Sequence, residues 1–253
     1  MRFNCKLKAH LLFAHKAVGR MRPDRWRQDT SRCDASVASC SHSVGHVPAQ
    51  EIGVHVASRQ DVAPLARVMA RAFVDDPVFT WILPTSRARQ RRLPLFFSNV
   101  LRHEAPRVHI IDVAWANGRI VGGAIWFPPP GRYIPSLARQ LLAVPGYAVA
   151  LRGRLGLGGT YVGSALRVHP REPHWYLQYV GVEPEFQGHG VGTELVSFRV
   201  RSCDGDGTAA YLESSNPANL ALYMRLGFQP TGSLALPSGA PEVTTMWRAQ
   251  HPA

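Results

Sequence analysis

The chain has 253 residues, of which 45% are hydrophobic and 18% charged, with a formal net charge of +12. That balance suits one globular domain with appendages, and no run approaches the roughly 18 apolar residues needed to span a membrane. Residues 1–50 hold nine basic side chains against three acidic ones, so half of the positive excess sits in a tail rather than on a continuous patch, which argues against nucleic-acid binding as the main activity. The four cysteines, Cys5, Cys33, Cys40 and Cys203, form no CxxC pair and no metal-ligand spacing, so no metal is expected. Without a spanning run, a secretory leader or a disulfide framework, the expected location is cytoplasmic, with no membrane partner.

Residues 1–50 lack a sustained helical or strand period and read as a disordered basic extension. The domain is expected over 51–250. Ile52 to Ala57 alternates as a strand does. Asp61 is placed to cap a helix with Pro64 in its first turn, and Leu65, Val68, Met69, Ala72 and Phe73 follow at helical spacing. Asp75-Asp76-Pro77 should end it, because a residue before proline avoids helical angles. A second helix runs from Ser86 past Phe96, Phe97 and Val100. Val108–Ala114 and Ile120–Phe127 are strands joined through Asn117-Gly118, a hairpin signal because both residues tolerate positive φ. Residues 131–171 form a long insert with helical pieces and no acid before Glu172. His174–Val182 is a strand, Val191–Cys203 a helix, Thr208–Ser214 a strand and Pro217–Leu226 a helix. Phe228–Leu234 and Val243–Arg248 close the chain as strands. The order β-α-α-β-β-(helical insert)-β-α-β-α-β-β predicts an α/β domain with a mixed, mostly antiparallel sheet flanked by helices.

Between the fourth strand and its helix lies Gln187-Gly188-His189-Gly190-Val191-Gly192-Thr193. Glycines let a loop turn its amides into one concavity, and a helix N-terminus adds partial positive charge, so the segment suits a pyrophosphate. No Lys-Ser/Thr follows the last glycine, which excludes a Walker A loop, and the spacing departs from the dinucleotide fingerprint.

The pattern Val182-x-Pro184-x-x-Gln187-Gly188-x-Gly190-x-Gly192, with Asn216-x-x-Asn219-x-x-Leu222-Tyr223-x-x-x-Gly227-Phe228 downstream, resembles the two signatures of the GNAT superfamily of N-acetyltransferases. Glu172-Pro173-His174-Trp175-Tyr176-Leu177 and Leu212-Glu213-Ser214-Ser215-Asn216 resemble its puromycin N-acetyltransferase-like branch. The resemblance implies acetyl-CoA as acyl donor and direct transfer to a primary amine. It implies that the strands near Val180 and Ser214 splay, with Val180, Gly181 and Val182 offering backbone groups to the pantetheine arm. The Val182 amide would polarise the thioester carbonyl, and Gln187 to Thr193 would hold the pyrophosphate.

Tyr223 is implied as the acid that protonates the leaving thiolate. Glu213, in an apolar strand, is the candidate base with a raised pKa; a salt bridge to an arginine is the other reading of the same residue. Many relatives carry a glutamate early in the fourth strand, where this chain has Tyr176 or Gln178. Asn216 and Asn219 serve either the pantetheine or a helix cap. The insert and the loop after Asp76 should line the acceptor site, with Phe79, Trp81, Trp126, Phe127 and Tyr133 as aromatic surface. A small-molecule amine is the expected acceptor. A protein lysine or N-terminus, or a non-catalytic acyl-CoA-binding regulatory module, are the alternatives. Dimers are common in the family, so a homodimer is also an expectation.

Overall fold

The computed structural model describes residues 52–104, 110–131 and 137–250. The extension expected at 1–50 and the aromatic Tyr133 lie outside the described residues. A short strand β1 (Gly53–Val56) leads into helix α1 (Val62–Ala72). Leu65, Val68 and Met69 recur on one face of α1 and are buried. Asp61 does precede α1, but it does not cap it as expected. Its carboxylate turns back and accepts hydrogen bonds from the amide and hydroxyl of Ser58.

A helix absent from the expectation follows. α2 (Pro77–Ile82) starts with proline at its first position and is capped by Asp76, whose carboxylate accepts from the amides of Val78 and Phe79. α1 ends at Ala72, ahead of the Asp75-Asp76-Pro77 stop expected for it, and the Asp-Pro pair begins α2 instead. α3 (Ser86–Asn99) then runs on through a π-helical turn (Val100–Glu104).

β2 (Ile110–Ala116) and β3 (Arg119–Phe127) form the hairpin, with Asn117 at φ 53° and Gly118 at φ 72° in the turn. The insert is a helical hairpin, α4 (Leu137–Leu151) and α5 (Leu155–Val168). β4 (His174–Val182), α6 (Val191–Gly205) and β5 (Ala209–Ser214) follow. The expected helix at Pro217 opens as a 3-10 turn (Pro217–Asn219) before α7 (Leu220–Arg225), and β6 (Gln229–Ser233) and β7 (Thr244–Arg248) end the domain.

The seven strands form one sheet in the order β1-β2-β3-β4-β5-β7-β6. Every neighbouring pair is antiparallel except β4 and β5. Alternation along the strands makes two cores. Ile125 of β3 joins the core under α1 and α3, and Ala124 and Trp126 join the one under α6 and α7. The insert extends the α1/α3 layer, where Asn99 of α3 donates to the Ala143 carbonyl of α4.

Candidate active site

β4 and β5 pair over His174–Leu177 and Ala209–Leu212, and the ladder stops there. β4 continues to Val182, so its last residues border a gap on the β5 side. The split begins at a bulge, where the register between β3 and β4 skips Gln178. Beyond it, the Glu183 amide donates to the Val121 carbonyl of β3 at 2.8 Å. Successive residues of a strand turn their amides to opposite sides, so Val180 and Val182 point theirs into the gap. Between them, Gly181 lies against α1. A Cβ there would sit 2.9 Å from the Ala72 Cβ and 3.0 Å from the Met69 Sδ.

The loop after β4 has the expected backbone. Gly188 (φ 78°) and Gly190 (φ 86°) are left-handed. The Gln187 side chain donates to the Val182 carbonyl, and His189 Nδ1 lies 2.9 Å from the Gln187 carbonyl. Gly190 is the N-cap of α6 and brings no side chain to it. The amides of Val191, Gly192 and Thr193 therefore have no partner in their own helix. A Cβ on Gly188 or Gly190 would meet no atom within 4 Å, so the concavity is open. Open space, bare amides and a fifteen-residue helix dipole fit a pyrophosphate.

Glu213 lies on the other side of the split, on the sheet face that carries Tyr176 and Tyr211. No arginine salt bridge holds it among the described residues. Tyr176 and Tyr211 each donate a hydroxyl to its carboxylate at 3.1 Å, and Tyr161 from insert helix α5 approaches at 3.5 Å. His169 Nδ1 is 4.0 Å from Oε1, and the Glu213 side chain is only 2% exposed. Burial raises its pKa above the ordinary carboxylate value, against the three hydroxyls that favour the charged form. The phenols of Tyr161, Tyr176 and Tyr211 are all pushed up, first by burial and then by the Glu213 charge. The cage continues through His169 to His174, with their Nε2 atoms 3.1 Å apart.

Tyr223 is buried on α7, its ring edge-on to Phe228. Its pKa is raised, first by burial and then by the charge of Asp76. In the sequence Asp76 stands out only as part of the stop expected after the first helix. Here its second carboxylate oxygen accepts from the Ser215 hydroxyl just past β5. Burial raises the Asp76 pKa while that bond and the two α2 amides oppose the rise. The charges of Asp76 and Glu213 both act on Tyr161. Asn216 caps the 3-10 turn, accepting from the Ala218 amide, whereas Asn219 stands at the N-cap of α7 without a side-chain cap bond.

Of the aromatic residues expected to line the acceptor site, Phe79 and Trp126 are core, and Trp81 is partly buried beside Val78 and Ile82. Phe79 packs edge-on with Phe73 and Phe96. Trp126 is fully buried on the opposite face, under α6. Phe127 stacks on Tyr176, a donor to Glu213, at 5.6 Å. Tyr161, Tyr211 and His169 were not singled out in the sequence. Tyr211 stands two residues before Glu213 on one strand, so its shared face was readable. Tyr161 carried no such signal, because the insert's packing decides where it points.

A model described as the acetyltransferase (GNAT) family matches residues 70–228, more than half of the chain. An uncharacterized N-acetyltransferase of Schizosaccharomyces pombe is 27% identical over 179 residues, 67% of this chain and 71% of that protein. The N-alpha-acetyltransferase RimI of Mycobacterium tuberculosis is 32% identical over 115 residues, 44% of this chain and 66% of that protein. A mycothiol acetyltransferase of Streptomyces coelicolor is 34% identical over 65 residues, 24% of this chain and 21% of that protein. Among solved structures, one described as a histone acetyltransferase and related acetyltransferase from Corynebacterium glutamicum superposes with a TM-score of 0.61 at 27% identity, covering 80% of this chain and 98% of that one. The chain thus belongs to the acetyltransferase (GNAT) family, and its activity is acetyl-CoA-dependent acyl transfer.

Proposed function

We propose that the protein transfers the acetyl group of acetyl-CoA directly to the primary amine of a small molecule. The observation that carries the reading is the seating of insert helix α5, whose Tyr161 lies over Glu213 and leaves that carboxylate buried in a cage of phenols; in this reading the cage closes the acceptor end. A cage of this kind suits a compact amine better than an extended polypeptide. Acetyl-CoA supplies an activated acyl group on a thiol.

In this reading Gln187, Gly188, His189, Gly190, Val191, Gly192 and Thr193 hold the pyrophosphate. Val180, Gly181 and Val182 line the pantetheine arm, with Asn216 and Asn219 where the arm passes α7. The Val182 amide faces the thioester carbonyl oxygen and stabilises negative charge there. Glu213, through the Tyr176 or Tyr161 hydroxyl, takes the proton from the acceptor ammonium, since a raised pKa brings a carboxylate closer to an amine's range. Tyr223 gives a proton to the departing thiolate.

The second reading is a protein N-terminus as acceptor, which the likeness to an N-alpha-acetyltransferase favours. One experiment separates the two. The full chain is mixed with acetyl-CoA and either a panel of small amines or a panel of peptides with free N-termini, and thiol release is followed. Turnover on a small amine that falls roughly 100-fold in Tyr223→Phe is the expected result, the typical size of a lost general acid. Turnover confined to peptides would replace the reading with the second one.

A further inference from the structure

Ten large apolar side chains stand exposed among the described residues, and seven of them lie on α4 and α5. They are ordered. On α4, Leu142 and Val149 are seven residues apart and 65% and 61% exposed. On α5, Leu155, Val162 and Leu166 line one side at spacings of seven and four, with Val162 54% and Leu166 57% exposed. The opposite side of α5 carries Tyr161, Ser164 and Ala165 into the domain. The outer stripe is therefore not core turned outward by a loose helix. It is the second face of a helix that already has its buried face.

The insert itself carries charge of one sign. Residues 131–171 contain six arginines and no aspartate or glutamate. Arg152 and Arg154 flank the turn between α4 and α5, and Arg167 adjoins Leu166, all three exposed. Arg91 and Arg92 of α3 meet Leu95, Val149 and Arg152 around a shallow cavity of about 360 Å³. Among the described residues, no ion pair uses any of these five arginines.

We infer that the α4–α5 hairpin docks this domain on an anionic lipid surface. A second copy of the chain would bring the same arginines face to face, and like charges at an interface disfavour it. An acidic protein would answer the arginines but leave the aliphatic stripe against polar groups. An anionic bilayer meets both demands, with headgroup charge for the arginines and an acyl boundary for the leucines and valines. The expectation of no membrane partner rested on the lack of a spanning run, and the described residues contain no helix long and apolar enough to cross a membrane. That observation bears on crossing a bilayer, not on lying at its surface.

The test is co-sedimentation of the full chain with vesicles of phosphatidylcholine alone or with phosphatidylglycerol added. Binding is expected only to the anionic vesicles. The triple variant L142E/V162E/L166E should bind at least tenfold more weakly, with acetyl-CoA turnover in solution kept as the check on folding. R152Q/R154Q/R167Q, which keeps the apolar stripe, should lose roughly fivefold per arginine. Undiminished binding in both variants would assign the affinity to the basic residues of 1–50 and overturn the inference. Equal binding to neutral vesicles would overturn it too. So would an absence of vesicle binding with a concentration-dependent dimer that the Glu variant abolishes, since the face would then join two copies.

Discussion

Glu213 is the residue whose surroundings bear most on the chemistry. Burial lifts its pKa above the ordinary 4.5, and the hydroxyls of Tyr176, Tyr211 and Tyr161 limit the rise. In its proposed role as base it works ionised, so kcat/KM should climb with pH through that raised value, and the acidic limb should vanish in Glu213→Gln along with most of the rate. Tyr176→Phe removes a donor to the charged form. Its limb should therefore move to higher pH while the KM for acetyl-CoA holds, and a pH–rate series checks both. The stability sign is the reverse. A raised carboxylate pKa adds stability that is complete below 4.5 and lost as pH rises through the folded value. Melting temperatures should show Glu213→Gln gaining on the wild type from acid toward neutral pH. Glu213 was legible as a candidate because a lone acid stood in an apolar strand. Its partners were not legible, because Tyr161 lies 52 residues away and His169 arrives through the turn before β4.

At the scale of elements, the site depends on β4 parting from β5 and on α1 lying close over the end of β4. Gly181 permits that approach, and Gly181→Ala would drive a methyl into Ala72, Met69 and Phe73. The expected loss is about 1–3 kcal/mol, as for other overpacked cores, read by denaturant unfolding. Calorimetry should also show weaker acetyl-CoA binding, because α1 must lift from the strand that lines the gap. Strands and loop were readable here from alternation, glycine spacing and the Asn117-Gly118 turn. α2 was missed because its six residues are too few to display a period, although Asp76-Pro77 announced its start.

At the scale of the whole molecule, Arg199 of α6 and Asp112 of β2 form a buried pair between that helix and the sheet. Burial raises the Asp112 pKa and the guanidinium opposes the rise. Arg199→Met would leave a carboxylate without its cation in the core and should cost about 3–5 kcal/mol. Asp112→Leu/Arg199→Met, which removes both charges, should recover much of that loss in urea titrations. The pair joins residues 87 positions apart, and neither carried a signal in the sequence.

The sequence by itself determined the family, the strand–loop–helix that suits a pyrophosphate, and the identity of Tyr223 and Glu213 as candidates. Those features are local, written in glycine spacing, side-chain alternation and short motifs. Only the tertiary structure decided which groups surround the carboxylates. The parting of β4 from β5, the seating of Tyr161 over Glu213, the approach of Asp76 to Ser215 and Tyr223, and the apolar outer face of the insert all arise from packing between distant segments. No local pattern encodes that packing, because each contact is chosen by the shape and burial of its partner.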